Sequence, residues 1–405
     1  MATTNVLTHQ MIAREAAKML AEEAPFISNI NKGRQEEFGQ AVNGFKKGDN
    51  VDIKIPPVPI IYDGAVFAGG GSPTNFGERK VNLKLDTQKH AGIQFGSAQK
   101  KLDLTEFSER FLRPAMQTLS SVVEADMLAR AYAGVPNLVG TAGSLPAAMK
   151  TYGQARSKLQ HYMAPAGDRT TVFSSDANLE LVDSSKGLFH AKKEIDRGFL
   201  RGSIGEAQGA DFYEHQSCPI HTNGNKVTGV TMNGAPASGA TSISVKGLAN
   251  LDTFTKGTVF TIAGVYAVHP LTGLPYAHLQ QFTVTADVAA TGATLTIPIY
   301  PAIVSSMPNK TVSALPGAAA ALVFTGSAST AYRQNLMFHR DAFTAAMAPL
   351  EVLPGCEGYT ARLPNGFSVR VMTGGDFTND TEATRIDVLY GFAVVRGLHA
   401  SRITE

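Results

Sequence analysis

Apolar residues near the start of the chain recur at helical spacing. Leu7, Met11, Met19 and Leu20 fall near one face of a segment that Thr8 can cap and Pro25 follows, which predicts an amphipathic helix to about Ala24. A helix this short is marginal alone in water, so it must pack on something, another subunit included. From residue 50 the period becomes two. Val51, Ile53 and Ile55 alternate with polar residues until the prolines of "NVDIKIPPVPII", and "VNLKLDTQKHAGIQFG" from Val81 alternates through Leu83 and Leu85 and later Ile93 and Phe95. Between them lies the glycine-rich "FAGGGSPTNFGERK". The pattern predicts a long two-stranded ribbon with a flexible tip. At about 3.3 Å per residue, a dozen residues reach roughly 40 Å, and a ribbon exposed on both faces needs a partner to be stable.

The strongest helical pattern follows. Leu112, Met116, Leu119, Val123 and Met127 recur at three or four, with Asp103 and Glu106 in capping-box spacing ahead. Pro114 suits a first turn, so the helix is expected to begin there and end at Gly134. A helix from Pro146 to His161, a strand at "RTTVFSS" and a helix from Asp176 come next, then "RGFLRGSIGEAQGADFYEH", which reads as mobile surface loop.

Between Lys226 and Gly326 the only charged residues are Lys226, Lys246, Lys256, Lys310, Asp252 and Asp287, and Thr, Val, Ala and Gly dominate. Short strands separated by turn signals predict a separate β-barrel or sandwich inserted into a mixed α and β body. Beyond it, "NLMFHRDAF", "GFSVRVMTGGDF" and "ATRIDVLYGFAVVRGLHASRI" read as long strands of one antiparallel sheet.

Composition narrows the function. At 405 residues the chain exceeds what one core usually serves. A net charge of +2 gives no electrostatic footprint for binding nucleic acid through its phosphates, although a weakly charged inner surface facing packaged DNA is compatible with it. The N-terminus has no basic segment leading into an apolar run, and the longest apolar run, near Ala318 to Phe324, falls far short of a bilayer span. Neither export nor a membrane anchor is expected. Cys218 and Cys356 cannot build a disulfide framework and fit a reducing cytosol.

Candidate chemistry is sparse. His339, Arg340 and Asp341 are consecutive, so His339 and Asp341 share one face of a strand, whereas catalytic His and carboxylate partners converge from different elements. A local pair at a strand end, with Asp341 capping a helix that begins at Ala342, accounts for them. His215, Cys218 and His221 in "HQSCPIH" have the types zinc accepts but lack a fourth ligand nearby. The glycine-rich stretch lacks the Lys-Ser/Thr ending of a phosphate loop, and Asp376, Asp380 and Glu382 depart from the calcium-loop spacing. No catalytic residue, metal site or cofactor is expected.

"KGTVFTIAGVYAVHPLTG", "LQQFTVTADV", "NLMFHRDAFTAAMAPLE" and "DVLYGFAVVRGLHASRI" occur in an order that resembles the major capsid (coat) proteins of tailed bacteriophages, in the group like the Salmonella short-tailed-phage coat protein. The resemblance covers residues 226–405 well and the first half by architecture. It implies an α+β fold of the phage Hong Kong 97 capsid type with an inserted all-β, barrel-like domain. Its parts would be an N-terminal arm at 1–45, an extended loop at 46–100, the spine helix of a peripheral domain at 101–140, an axial domain at 141–225, the inserted β domain at 226–326, and completion of the axial and peripheral domains at 327–405. It further implies assembly of identical chains, as pentamers and hexamers, into an icosahedral head around double-stranded DNA bound only non-specifically. A scaffolding protein and a portal protein are the implied partners, decoration proteins are left open, assembly takes place in the bacterial cytoplasm, and the product is the virion. Candidate subunit-interface residues are Phe76, Glu78, Arg79 and Lys80 on the ribbon and Met11 and Leu20 on the arm. The alternative reading is a glycan-binding or adhesive virion surface protein, suggested by the Thr- and Gly-rich β region, although Trp is absent.

Overall fold

The structure, a computed structural model, describes residues 9–22, 24–33, 50–56, 65, 79–96, 112–184, 205–363, 366–376 and 381–405. The Thr8 cap, the Asp103 and Glu106 capping pair and the ribbon tip lie outside these residues. The chain divides into two units. One comprises residues 1–53, 81–128 and 343–395, the other 54–80, 129–342 and 396–405.

In the first unit, helix α1 (His9–Glu22) buries Ile12, Ala13, Ala16, Ala17 and Leu20. That stripe of small side chains lets the helix lie close on strands β19 (Glu357–Arg362) and β20 (Ser368–Asp376). The expected face was a few residues off: Met11 is exposed, because the alanines carry the contact. The short helix α2 (Pro25–Ser28) sets Phe26 against Phe343 and Phe392, with ring centroids 5.8 and 6.2 Å away.

The ribbon strands β1 (Asn50–Ile55) and β2 (Arg79–Lys84) pair with each other. The second strand is not continuous. It breaks at Leu85 and Asp86, and β3 (Thr87–Gly96) leaves the ribbon to pair with β21 (Thr381–Val394). Along its other edge β21 takes β20 and then β18 (Phe343–Ala348), which makes an antiparallel five-stranded sheet. The spine helix α3 (Arg113–Ala133) follows its sequence pattern, with Pro114 in the first turn. Met116, Leu119, Val123 and Met127 are buried, and Tyr390 donates from its hydroxyl to Asp126 at 2.8 Å.

The second unit contains a sheet built from β4 (Leu138–Val139), β5 (Arg169–Phe173), β6 (Glu206–Ala207), β7 (Ala210–Glu214), β17 (Ala331–His339) and β22 (Ala400–Thr404), in the order β4-β22-β17-β5-β7-β6. Strand β8 (Ile220–Thr222) pairs with β17 beside it. Helices α4 (Met149–His161) and α5 (Ser175–Ser184) pack Tyr152, Ala155, Leu159, Ala177 and Leu181 into a core with Phe173, Phe212 and Met337. Two expectations change here. The supposed loop before His215 contains β7, whose Ala210 and Phe212 point into that core. The C-terminal strands form two sheets rather than one, since β17 and β22 join β5 while β18 and β21 belong to the first unit.

Residues 231–324 form strands that, among the described residues, pair only with one another. Strands β9 (Thr231–Met232), β10 (Ala240–Lys246), β12 (Val259–Val268), β13 (Pro275–Val284), β15 (Thr294–Ile303) and β16 (Leu322–Phe324) make an antiparallel six-stranded sheet in the order β16-β12-β13-β15-β10-β9. Strands β11 (Thr253–Phe254) and β14 (Val288–Ala289) make a two-stranded one. Their core draws Phe254, Phe260, Phe282 and Phe324 together with aliphatic residues entirely from positions 230–324. At about 1.5–3 kcal/mol for each large side chain buried, this region is stabilised chiefly by its own contacts. Gln281 attaches it to the rest of the unit by accepting from the Leu138 N–H at 3.1 Å and donating to the Leu138 carbonyl at 2.9 Å.

Candidate functional site

The ribbon base is amphipathic. Ile53 and Leu83, with Leu85 just beyond, face Ala346, Ala348, Leu389 and Ala393, while Asp52 and Asn82 on the other face bond each other at 3.0 Å. Period-two alternation places the apolar side chains on one face. The expectation that the ribbon exposes both faces is therefore corrected for its base, which the chain itself covers on the apolar side. Of the candidate interface residues, Phe76 and Glu78 lie outside the described residues. Arg79 and Lys80 are exposed at the start of β2, and Met11 is 47% exposed on α1. Leu20 has no exposed surface; it belongs to the contact of α1 with its own unit.

Two buried cations were not singled out from the sequence. In the first unit Arg370 and Asp387 sit opposite each other on β20 and β21. Asp387 accepts from Arg370 Nη2 at 2.8 Å, Arg385 Nε at 2.7 Å and Gln88 Nε2 at 3.2 Å. The signal was a lone charge in each of two apolar runs, "SVRVM" and "IDVLY", but their partnership depends on strand register. In the second unit Arg402 is buried at 1% exposure, donates to the Gly257 carbonyl at 2.7 Å, and lies over the Tyr132 ring at 5.7 Å. Burial lowers its guanidinium to about 9, so it stays charged at neutral pH. It pins the C-terminal strand to the β region, where Gly257 (φ +95°) has space for no side chain: a Cβ there would meet Tyr132 at 3.0 Å.

The candidate catalytic pair does not have catalytic geometry. Arg340–Ala342 form one 3₁₀ turn, followed by β18 rather than by the expected helix, because "FTAAMA" is buried at every position and its alanines fit between packed layers. Asp341 donates its backbone N–H to His339 Nδ1 at 3.2 Å, and its carboxylate stands 3.9 Å from the same atom. A carboxylate that orients a catalytic histidine accepts from Nδ1–H, whereas here Nδ1 accepts, which leaves the proton on Nε2. Burial lowers the His339 imidazole, opposed by Asp341. The pair closes a turn locally.

The "HQSCPIH" residues also diverge. His215 Nδ1 accepts from the Ser217 N–H at 3.1 Å, Cys218 is buried and outside any disulfide, and His221 uses both nitrogens, with Tyr132 at 3.5 Å and with Asn223 and Thr258 at 3.1 and 3.3 Å. Burial, with Arg402 nearby, lowers His221 to about 4. Among the described residues no three His, Cys, Asp or Glu side chains are grouped to hold a metal ion, and no helix is long and apolar enough to cross a membrane. The glycine-rich stretch and Asp380 lie outside the described residues, and in the register of β20 and β21 Asp376 pairs with Thr381 and Glu382 with Gly375, so the two acids are not opposite each other.

Comparison with known proteins gives a match over most of the chain. The family model described as "P22 coat protein - gene protein 5" matches residues 46–400. No curated protein matches the sequence. Among solved structures, the chain is similar to one from Mycobacterium phage Che8, at 13% identity and TM-score 0.46, covering 93% of this chain and 89% of that one. It is similar to the mature capsid of bacteriophage PhiM1 at 11% identity and TM-score 0.43, covering 88% and 82%. It is also similar to the I-domain of the CUS-3 coat protein at 24% identity and TM-score 0.17, covering 23% of this chain and 93% of that one. The family match, not these distant likenesses, carries the functional reading.

Proposed function

The chain belongs to the P22 coat protein family, and from that premise we propose how it works as a shell subunit. It is a major capsid protein that forms the icosahedral head of a phage. In our reading it does so as pentamers and hexamers with the Hong Kong 97 type of fold, enclosing double-stranded DNA by weak, non-specific contact. The first unit, with α1, the ribbon base, the spine helix and the long β21, then corresponds to the arm, extended loop and peripheral domain. The second corresponds to the axial domain with an inserted β domain at 226–326. The self-contained core of residues 230–324 favours an insertion.

Assembly rests on non-covalent contacts, in which large interfaces stabilise chiefly by removing apolar area from water. Arg79, Lys80 and Met11 remain the interface candidates, with Phe76 and Glu78 on the ribbon beyond the described residues. A scaffolding protein and a portal protein are the expected partners in a bacterial cytoplasm, and the virion is the destination. We assign no catalytic role, given the reversed hydrogen bond at His339. The adhesive alternative gains no support from the β region, where Tyr266 is the exposed aromatic among the described residues.

The family match over residues 46–400 carries this reading. Electron microscopy of the purified protein, alone and with its scaffolding partner, should show closed shells built from five- and sixfold clusters. Monodisperse monomer under every assembly condition would overturn it.

A further inference from the structure

Helix α4 ends at His161, and β13 brings Tyr276 and His278 against that end. The rings of His161 and His278 stack with centroids 5.1 Å apart and planes 22° apart. Tyr276 packs on both, at 4.7 and 5.4 Å, and donates from its hydroxyl to the His161 carbonyl at 3.0 Å. His269, at the start of the β12–β13 turn, lies 6.2 Å from Tyr276. His161 Nδ1 and His278 Nε2 are buried and have no hydrogen-bond partner among the described residues.

Among the described residues, the charges that act on the stack are all of one sign. Lys158 lies one turn before His161 and acts on both imidazoles, and His161 acts on His278. Lys310 bonds the Gly273 carbonyl in the same β12–β13 turn at 3.1 Å. Tyr162, which follows α4, donates to Gln280, and Tyr276 and Tyr300 act on Tyr162. Among the described residues no carboxylate acts on either imidazole.

We propose that this stack is an acid-released latch, which holds the start of β13 and its preceding turn on the end of α4 only while both imidazoles are neutral. A proton on either ring creates a cation that faces Lys158 and the other histidine with no acceptor to receive it, and burial makes that charge costly. Burial and then Lys158 lower both rings, His278 to about 4. Each ring is harder to protonate when latched than when free, so the latch is at full strength above the ordinary histidine value near 6.5 and weakens as pH falls from there toward 4. Release stops at Gln280. That residue bonds Tyr162, the next one bonds Leu138, and Thr283 bonds the Ala133 carbonyl at 3.3 Å, none of them through a titrating ring.

Hydrogen exchange of the full chain at pH 7.5 and pH 5, corrected for the intrinsic dependence of exchange on pH, tests this. Protection of amides 276–279 should fall by about tenfold or more at the lower pH, as one strongly shifted histidine requires, while amides 281–284 keep theirs. In the His161→Phe/His278→Phe double variant, whose rings cannot charge, the fall should vanish. Unchanged protection in the wild type, or an equal fall in the double variant, would overturn the proposal. Should the double variant fail to fold, histidine ring resonances of the wild type decide instead. A titration midpoint for His278 well below 6 supports the latch, and one at the ordinary value refutes it.

Discussion

Asp387 has no exposed surface and receives two arginines and a glutamine. Such a cluster contributes little net stability when intact, because desolvation offsets the Coulomb attraction, but removing one member leaves a buried charge uncompensated. Asp387→Ala should therefore lower the unfolding free energy by about 3–5 kcal/mol, whereas the Arg370→Met/Asp387→Leu pair should recover most of that loss. Denaturant midpoints of the three proteins check this, and a single variant as stable as wild type would show that Arg370 finds another acceptor. The two charges are visible in the sequence as interruptions of apolar runs. What sequence does not reveal is that they face each other, since the register of β20 on β21 depends on the whole strand pair.

Elements with a strong local signal were legible, and those fixed by their surroundings were not. The spine helix announced itself because five large apolar residues repeat on one face and Pro114 marks its start. Strand β18 hid because its three alanines favour a helix by themselves, while in the fold all six of its positions are buried as one strand of a sheet. The same smallness governs α1, where Ala16 is fully buried against the sheet and Met11 faces outward. Ala16→Leu should cost about 1–3 kcal/mol through overpacking. Met11→Ala should change the subunit's stability by less than about 0.5 kcal/mol, as exposed sites do, and should slow shell assembly if α1 meets a neighbour there. Light scattering of assembly beside a denaturant curve separates the two effects. Gly391 is the third case. A Cβ on it would lie 2.3 Å from the Lys84 carbonyl, so β21 needs glycine where the chain crosses from β2 to β3. Gly391→Ala should destabilise by about 1–3 kcal/mol or more, read as a lower denaturant midpoint; a neutral result would mean that this crossing is looser than the backbone shows.

At the scale of the molecule, the chain alternates between its units in six segments. Each unit buries polar groups, and in the second unit several of them are histidines. His221 and His399, 6% and 8% exposed in the second unit, are both lowered to about 4, chiefly by burial and then by the nearby arginines Arg402 and Arg396. The unfolded chain titrates them near 6.5, so between those values this pair alone takes up close to two protons on unfolding, added to those of His161, His278 and His339. Their contribution to stability is then full above about pH 6.5 and falls as pH drops toward 4, by about 2–3 kcal/mol per pH unit for the pair over the middle of that window. His221→Gln keeps a hydrogen-bonding side chain for Asn223 and Thr258 but cannot charge, so it should take about 1.4 kcal/mol per pH unit off the slope of unfolding free energy against pH while leaving the value at pH 7.5 within about 1–2 kcal/mol. Urea denaturation at half-unit steps from pH 7.5 to 4 measures both slopes. Identical slopes in the variant and the wild type would mean that His221 opens to solvent before the unit unfolds, and that the contact between Arg402, Tyr132 and the β region is looser than its buried geometry implies.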